Sequence, residues 1–218
     1  MSVPDGGGVA MEIYLGIQRR GYSWIFPKRD ELSLGIGCRM DLRGDMRREW
    51  RTFTEKIREE KGIGLDFRRK STFRVPVRRT GSRLTARRSL LVGDAAGLVS
   101  PVTGEGIYYA IYSGRLAAKI IAEAAERKSP LYIREYDIQL QNRLVPELET
   151  AGFVADVLFR SERSCEIVCD IASKDETMRD LMIDFVTGSR PAKKLRIPIA
   201  KRLLTRHPLK ALRLGLNV

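Results

Sequence analysis

Histidine is nearly absent from this chain: His207 is the one imidazole in 218 residues. Cysteine is scarce too, and Cys38, Cys165 and Cys169 form no Cys-x-x-Cys pair. A zinc site draws most of its ligands from these two residue types, so no metal centre is expected and the thiols read as reduced. No apolar run approaches the ~18 residues of a membrane span. The opening MSVPDGGGVAMEIYLG lacks the basic and apolar regions of a signal peptide. The expected localisation is cytoplasmic, with peripheral membrane contact a further expectation from the charge pattern.

Acidic residues are missing from two long stretches. None follows Asp184, while Arg190, Lys193, Lys194, Arg196, Lys201, Arg202, Arg206, Lys210 and Arg213 do. None lies between Asp66 and Asp94 either, in FRRKSTFRVPVRRTGSRLTARRSLLVG. With Lys+Arg 40 against Asp+Glu 27 the formal charge is +13. Such runs suit an anionic partner, whether phospholipid, nucleic acid or a diphosphate, and equally a solvated basic surface. Nucleic acid ranks below membrane, because the tail pairs its cations with aliphatics rather than stacking aromatics.

What is present is globular: 43% hydrophobic and 31% charged residues, enough chain for a real core. MEIYLGIQ, YSWIFP and LSLGIGC read as an antiparallel meander with turns at RRG and KRDE. A helix is expected from about Asp45 to Glu60, where Met46, Trp50, Phe53 and Ile57 recur at helical spacing. STFRVPV reads as a strand whose Pro76 favours an edge or bulge. SLLVG, short and continuously apolar, has the pattern of a strand buried on both faces. A helix follows, about Glu105 to Glu126, with a small-residue stripe of Ala110, Ser113, Gly114, Ala117 and Ala118 for close packing. Beyond Pro130 the chain is expected to be helical, with Pro146 an interruption or a new first turn. In the tail, Ile199, Leu203 and Leu204 are expected on one helical face, and Leu209, Leu212 and Leu216 on another.

The chemistry concentrates in SLLVGDAAGLVSPVTGEGIYYAIYSGRLAAKII. A strand entering a glycine loop before a helix start is a generic anion site, through free N–H groups and the helix dipole. Asp94 at the strand end would repel phosphate and instead accept hydrogen bonds from hydroxyls, as a ribose or ribityl chain offers. A ligand with hydroxyls and an electron-rich edge fits both, and a flavin nucleotide has both. No P-loop pattern follows the first glycines, and no GxGxxG opens a helix after a strand. The GGG at residues 6–8 reads as a flexible start.

LLVGDAAGLVSPVTGEGI closely resembles the second flavin motif of FAD-dependent oxidoreductases in the geranylgeranyl reductase family. The resemblance implies that Asp94, after Gly93, holds the ribityl chain of FAD. It implies that the loop Pro101, Thr103, Gly104, Glu105, Gly106 and Ile107 passes beside the isoalloxazine ring. Gly104, Gly106 and Ile107 would present backbone N–H groups to its pyrimidine end. GYSWIFPKRDELSLGIG fits the family's substrate-side signature with Tyr22, Trp24, Phe26, Pro27, Gly35 and Gly37. Alternation places Tyr22, Trp24 and Phe26 on one sheet face, as in any half-buried strand. The resemblance adds an isoprenoid channel, with the two glycines leaving room beside the aromatics.

The implied protein is α+β. It combines an antiparallel substrate-binding sheet with one helix (1–88), a flavin-contacting strand–loop–helix of an FAD/NAD(P)-binding-type fold (89–129) and a helical C-terminal region with a basic tail (130–218). The resemblance runs over roughly residues 12–160, and family members are about twice this length. An N-terminal dinucleotide-binding half is thus expected to be missing, supplied by a complementary chain if the protein acts. The implied activity is saturation of geranylgeranyl double bonds by flavin hydride transfer, on an isoprenoid lipid or a prenyl diphosphate. The alternatives are an FAD-dependent monooxygenase or halogenase-type relative, and a non-catalytic basic lipid-binding remnant. Tyr22 and Tyr108 are able to donate a proton but have ordinary structural roles, and no catalytic residue is assigned.

Overall fold

The computed structural model describes residues 11–18, 21–39, 44–62, 64–78 and 81–215. The glycines at 6–8, two arginines of the first turn and Leu216 lie outside the described residues. The chain divides into two compact units, each described by itself: Met1–Thr72 with Val157–Ile171 and Leu212–Val218, and Phe73–Asp156 with Ala172–Ala211. These units cut across the three sequence segments, because later helices return to the first unit.

In the first unit, strands β1 (Glu12–Leu15), β2 (Gly21–Pro27) and β3 (Leu32–Cys38) form the expected antiparallel meander. Period-two alternation sorts β2 cleanly. Gly21, Ser23 and Ile25 are buried, while Tyr22, Trp24 and Phe26 lie half-buried on the other face. Helix α1 (Met46–Lys61) covers the first face, packing Phe53 and Ile57 against Ile25. Full burial of such side chains contributes about 1.5–3 kcal/mol each. Asp45 caps α1 by accepting from the N–H groups of Arg47 (3.0 Å) and Arg48 (3.2 Å). Gly62, at φ +62°, ends it in the left-handed region that glycine adopts without a Cβ clash. Lys61 Nζ pairs with Glu12 Oε1 at 2.6 Å, tying the helix end to β1. That pair holds the Glu12 carboxyl below its ordinary range.

In the second unit, β4 (Thr85–Ala86) and β5 (Ser89–Leu90) form a minimal hairpin. Asp137 clamps it, accepting from Leu84 N–H at 3.0 Å and from the Thr85 hydroxyl. The expected strand buried on both faces is therefore corrected: only Ser89–Leu90 of SLLVG pairs, antiparallel, and Leu91 and Val92 are exposed. Burial on both faces needs layers above and below, and an isolated hairpin offers neither. STFRVPV is likewise not a strand among the described residues. Pro76 has no N–H to give a ladder, and Phe73 is 81% exposed. The segment is anchored instead at Arg78, whose N–H donates to Gly97 O at 2.9 Å.

Helix α2 (Ile107–Glu126) forms the core of this unit through Leu116, Ala117 and Ile120, packed with Leu98, Tyr136 and Leu140. A 3-10 turn at Pro130–Ile133 leads into α3 (Arg134–Arg143), α4 (Val145–Leu158), α5 (Glu162–Lys174), α6 (Glu176–Thr187), α7 (Ala192–Arg206) and α8 (Pro208–Arg213). Pro146 lies in the first turn of α4, where its missing N–H has no partner to lose. The helical C-terminal region is thus as expected, and the fold is helix-rich with small antiparallel sheets. No helix among the described residues is long and apolar enough to cross a membrane.

Candidate functional site

The Gly-Asp loop is built by close approach. After β5 the chain makes a 3-10 turn over Gly93–Ala96 and leaves it through Gly97 at φ +65°. Gly93 has φ +52°, and a Cβ there would fall 3.0 Å from Ala110 Cβ on α2. Its N–H donates to Ser113 Oγ at 3.0 Å, and Ser113 is fully buried. The small-residue stripe of α2 therefore has two halves. Ala110, Ser113 and Ala117 receive the loop and core, whereas a Cβ added at Gly114 would meet nothing within 4 Å and Ala118 is exposed.

This packing brings the strand-end carboxylate to the helix start. A Cβ on Gly106, the residue before α2, would fall 3.2 Å from Asp94 Oδ1 and 3.2 Å from Val99 Cγ2. Asp94 is itself exposed. The approach to α2 is a tight turn. Gly104 N–H donates to Ser100 O and Ser100 N–H to Glu105 O, both at 2.9 Å, with Gly104 at φ +70°. Thr103 Oγ1 accepts from Glu105 N–H at 3.2 Å, and Pro101 opens the turn. Glu105 Oε1 accepts from Tyr108 N–H at 2.7 Å, so this carboxylate caps α2. The N–H groups of Gly106 and Ile107 carry no hydrogen bond among the described residues, as the first turn of a helix dictates. An exposed acceptor and two open donors thus meet at one edge of the second unit.

The other predicted residues fall in the first unit. Tyr22, Trp24 and Phe26 form a row, with Tyr22–Trp24 centroids 5.8 Å apart and Trp24–Phe26 6.0 Å apart. Phe159 stacks on Tyr22 at 6.4 Å. Burial pushes the Tyr22 phenol up from its ordinary value. Pro27 is exposed at the end of the strand. Gly35 pairs directly with Trp24, and Gly37 with Tyr22. A Cβ at Gly35 would overlap Cζ2, Cε2 and Cη2 of Trp24, whereas one at Gly37 would sit 3.5 Å from Trp24 Cζ3. The space over Gly35 is taken by the indole, whereas a Cβ at Gly37 would make only ordinary van der Waals contact with the same ring.

Sequence reasoning missed several residues that position the loop. Ser113 was grouped by size, yet it supplies the acceptor for Gly93. Tyr136 donates its hydroxyl to Leu91 O at 2.8 Å and so fixes the strand end, and burial pushes its phenol up to about 12. A cleft of about 400 Å³ also lies in the first unit, between Ile17, the start of α1 at Asp45, Arg48 and Glu49, and Glu162.

No family model matches the chain. The chain is 28% identical over 187 residues to a chloroplastic geranylgeranyl diphosphate reductase of Arabidopsis thaliana, a match covering 83% of this chain and 39% of that protein. It is 34% identical over 141 residues to a digeranylgeranylglycerophospholipid reductase of Thermoplasma acidophilum, covering 61% and 35%. The crystal structure of a geranylgeranyl bacteriochlorophyll reductase-like protein from Thermoplasma acidophilum superposes with a TM-score of 0.71 at 26% identity. That superposition covers 97% of this chain and 51% of that one. The chain spans about 35–39% of the length of the first two proteins and about half of the third. It is a homologue of the geranylgeranyl reductases over a part of their length.

Proposed function

We propose that this chain contributes to an FAD-dependent reductase that saturates the double bonds of a geranylgeranyl lipid or prenyl diphosphate. The observation that carries the reading is the meeting of Asp94 with the open helix start at Gly106 and Ile107. A cradle that a Cβ at Gly106 would fill, with a carboxylate on one side and unpaired N–H donors on the other, suits a group bearing both hydroxyls and an electron-rich edge. FAD fits that donor and acceptor set. Once reduced by two electrons from a separate donor, it would supply the hydride for one alkene carbon, with a proton going to the other.

The residues' own work follows from their chemistry. Asp94 accepts from the ribityl hydroxyls, and charged acceptors make such bonds stronger than neutral ones. Gly106 and Ile107 direct preorganised donors at the pyrimidine edge, where reduction concentrates negative charge. Gly93 and Gly104 hold the backbone in left-handed conformations that shape the loop, with Pro101, Thr103 and Glu105 bracing the turn. Tyr22, Trp24, Phe26 and Pro27 offer an apolar surface to an isoprenoid chain, with Gly37 adding no side chain beside Trp24. That aromatic row favours the reductase reading over a monooxygenase-type one.

A complementary polypeptide that grips the ADP part of FAD belongs to the proposal. Exposed Phe73, Val75, Leu91, Ile107 and Ile111 support it, being apolar surface that a second polypeptide would bury. The test is quenching of FAD fluorescence on titration with the purified chain, alone and with a complementary half, followed by turnover of a geranylgeranyl lipid. Saturable quenching and a reduced product with both halves are expected. No quenching in either arm would sink the reading.

A further inference from the structure

Helix α7 carries a second surface that the loop chemistry does not use. Its inward side is set by Leu195 and Leu203, both buried, and by Ile199, half-buried. Helical periodicity places Ile197, Ala200 and Leu204 on the opposite side, at i, i+3 and i+7. All three are exposed, Ile197 by 77%. Lys193, Lys194, Arg196 and Lys201 flank this aliphatic ridge, are exposed, and meet no carboxylate among the described residues. By contrast, Arg190 and Arg202 are bound internally, to Asp184 and Asp175. Leu209, after the break at Pro208, is 71% exposed beside Lys210.

We infer that this face of α7 docks on an anionic phospholipid surface. An acid-free segment repels other basic surfaces and complements a negative one, so a partner docked on this face is anionic. The ridge then narrows the choice. Exposed aliphatics between cations match the boundary between acyl chains and headgroups, where apolar side chains insert and cations stay at the phosphates. Nucleic acid offers no apolar layer to receive Ile197 and Leu204; no Phe, Tyr or Trp follows Phe185 for stacking on bases, and His207 is held by Asp175. The inference rests on α7 and stands whether or not Asp94 binds a flavin.

The experiment is flotation of the full chain with vesicles of phosphatidylcholine containing increasing phosphatidylglycerol, at about 0.1 M and about 0.5 M salt. Bound fraction should rise with phosphatidylglycerol and fall with salt. Lys193→Glu, Lys194→Glu and Lys201→Glu should each weaken binding at least about fivefold, the effect of removing one headgroup contact near 1 kcal/mol. Ile197→Asp should weaken it about tenfold, while Ile121→Asp, at an exposed position on α2, leaves it unchanged. Circular dichroism spectra and melting temperatures like those of the unmodified chain show that each variant is folded. Equal binding to neutral vesicles, no binding to anionic ones, or indifference to both the Lys193 and Ile197 variants would overturn the inference. So would a preference for an acidic polypeptide or RNA over vesicles at equal charge.

Discussion

The indole of Trp24 occupies the space above Gly35, its direct cross-strand partner. An aromatic ring over a cross-strand glycine covers backbone that would otherwise be bare, and it fixes the ring's position on the sheet. Any side chain at Gly35 must displace the indole, whereas Gly37 has ordinary contact distance to spare. Gly35→Val is therefore expected to destabilise the first unit by about 1–3 kcal/mol, the usual cost of forcing extra volume into a packed site. Gly37→Ala should be close to neutral. Chemical denaturation measures both, and tryptophan emission in a Trp50→Phe background reports whether Trp24 has moved. Equal stability of the two variants would show that the indole yields freely.

Asp94 is exposed and takes no part in the core, so Asp94→Ala should leave the melting temperature in place. Loss of a hydrogen bond to a charged acceptor costs about 1.5–3 kcal/mol, or roughly 10- to 150-fold in FAD affinity. Gly106→Ala tests the same cradle from its other wall, since its methyl would crowd Asp94 Oδ1 at 3.2 Å. Fluorescence titration should show both variants weakened. If only Gly106→Ala is affected, the helix start binds the ligand without the carboxylate.

Which parts were legible in the chain follows from the range of the forces involved. The row Tyr22, Trp24 and Phe26 was readable because side-chain alternation in a strand is a local property. Helix α1 was readable because its cap Asp45 and its stop Gly62 lie in the sequence beside the apolar stripe they bound. SLLVG was misread because continuous apolarity reports a demand for burial, while the layers that would meet it are not set by the run itself. The tail grouping failed for a different reason. Leu203 and Leu204 are adjacent, and a helix turns about 100° between neighbours. One is buried, and the other joins Ile197 on the exposed side.

Ser113 links loop and helix in a way that predicts stability rather than binding. Its hydroxyl accepts from Gly93 N–H at 3.0 Å and donates to Ala110 O at 3.2 Å. Ser113→Ala leaves a buried N–H without its acceptor, a loss of about 1–3 kcal/mol. Ser113→Gly should be worse, since glycine also weakens the helix interior by about 1 kcal/mol. Denaturant midpoints order the three proteins. An unchanged midpoint in the alanine variant would mean that water replaces the hydroxyl.

Asp175 closes the helical region. It caps α6 by accepting from Met178 N–H at 3.0 Å, and it receives Arg202 Nε and Nη2, each at 2.8 Å. His207 Nε2 lies 2.9 Å from the same carboxylate. The Arg202 hydrogen bonds, against a burial that opposes ionisation, hold the Asp175 carboxyl well below its ordinary range. A lowered folded-state pKa stabilises the fold above the unfolded value of about 3.9, and the benefit is lost as pH falls below it. Asp175→Asn keeps an acceptor for the α6 cap but removes the charge that binds Arg202. The variant should melt below the unmodified protein near neutral pH, with the gap closing as pH is lowered from about 4 towards about 2. Melting curves across that range decide the matter. Equal melting of the two proteins near neutral pH would show that Asp175 acts through the cap that Asn retains, and that the charge pairing with Arg202 adds nothing to stability.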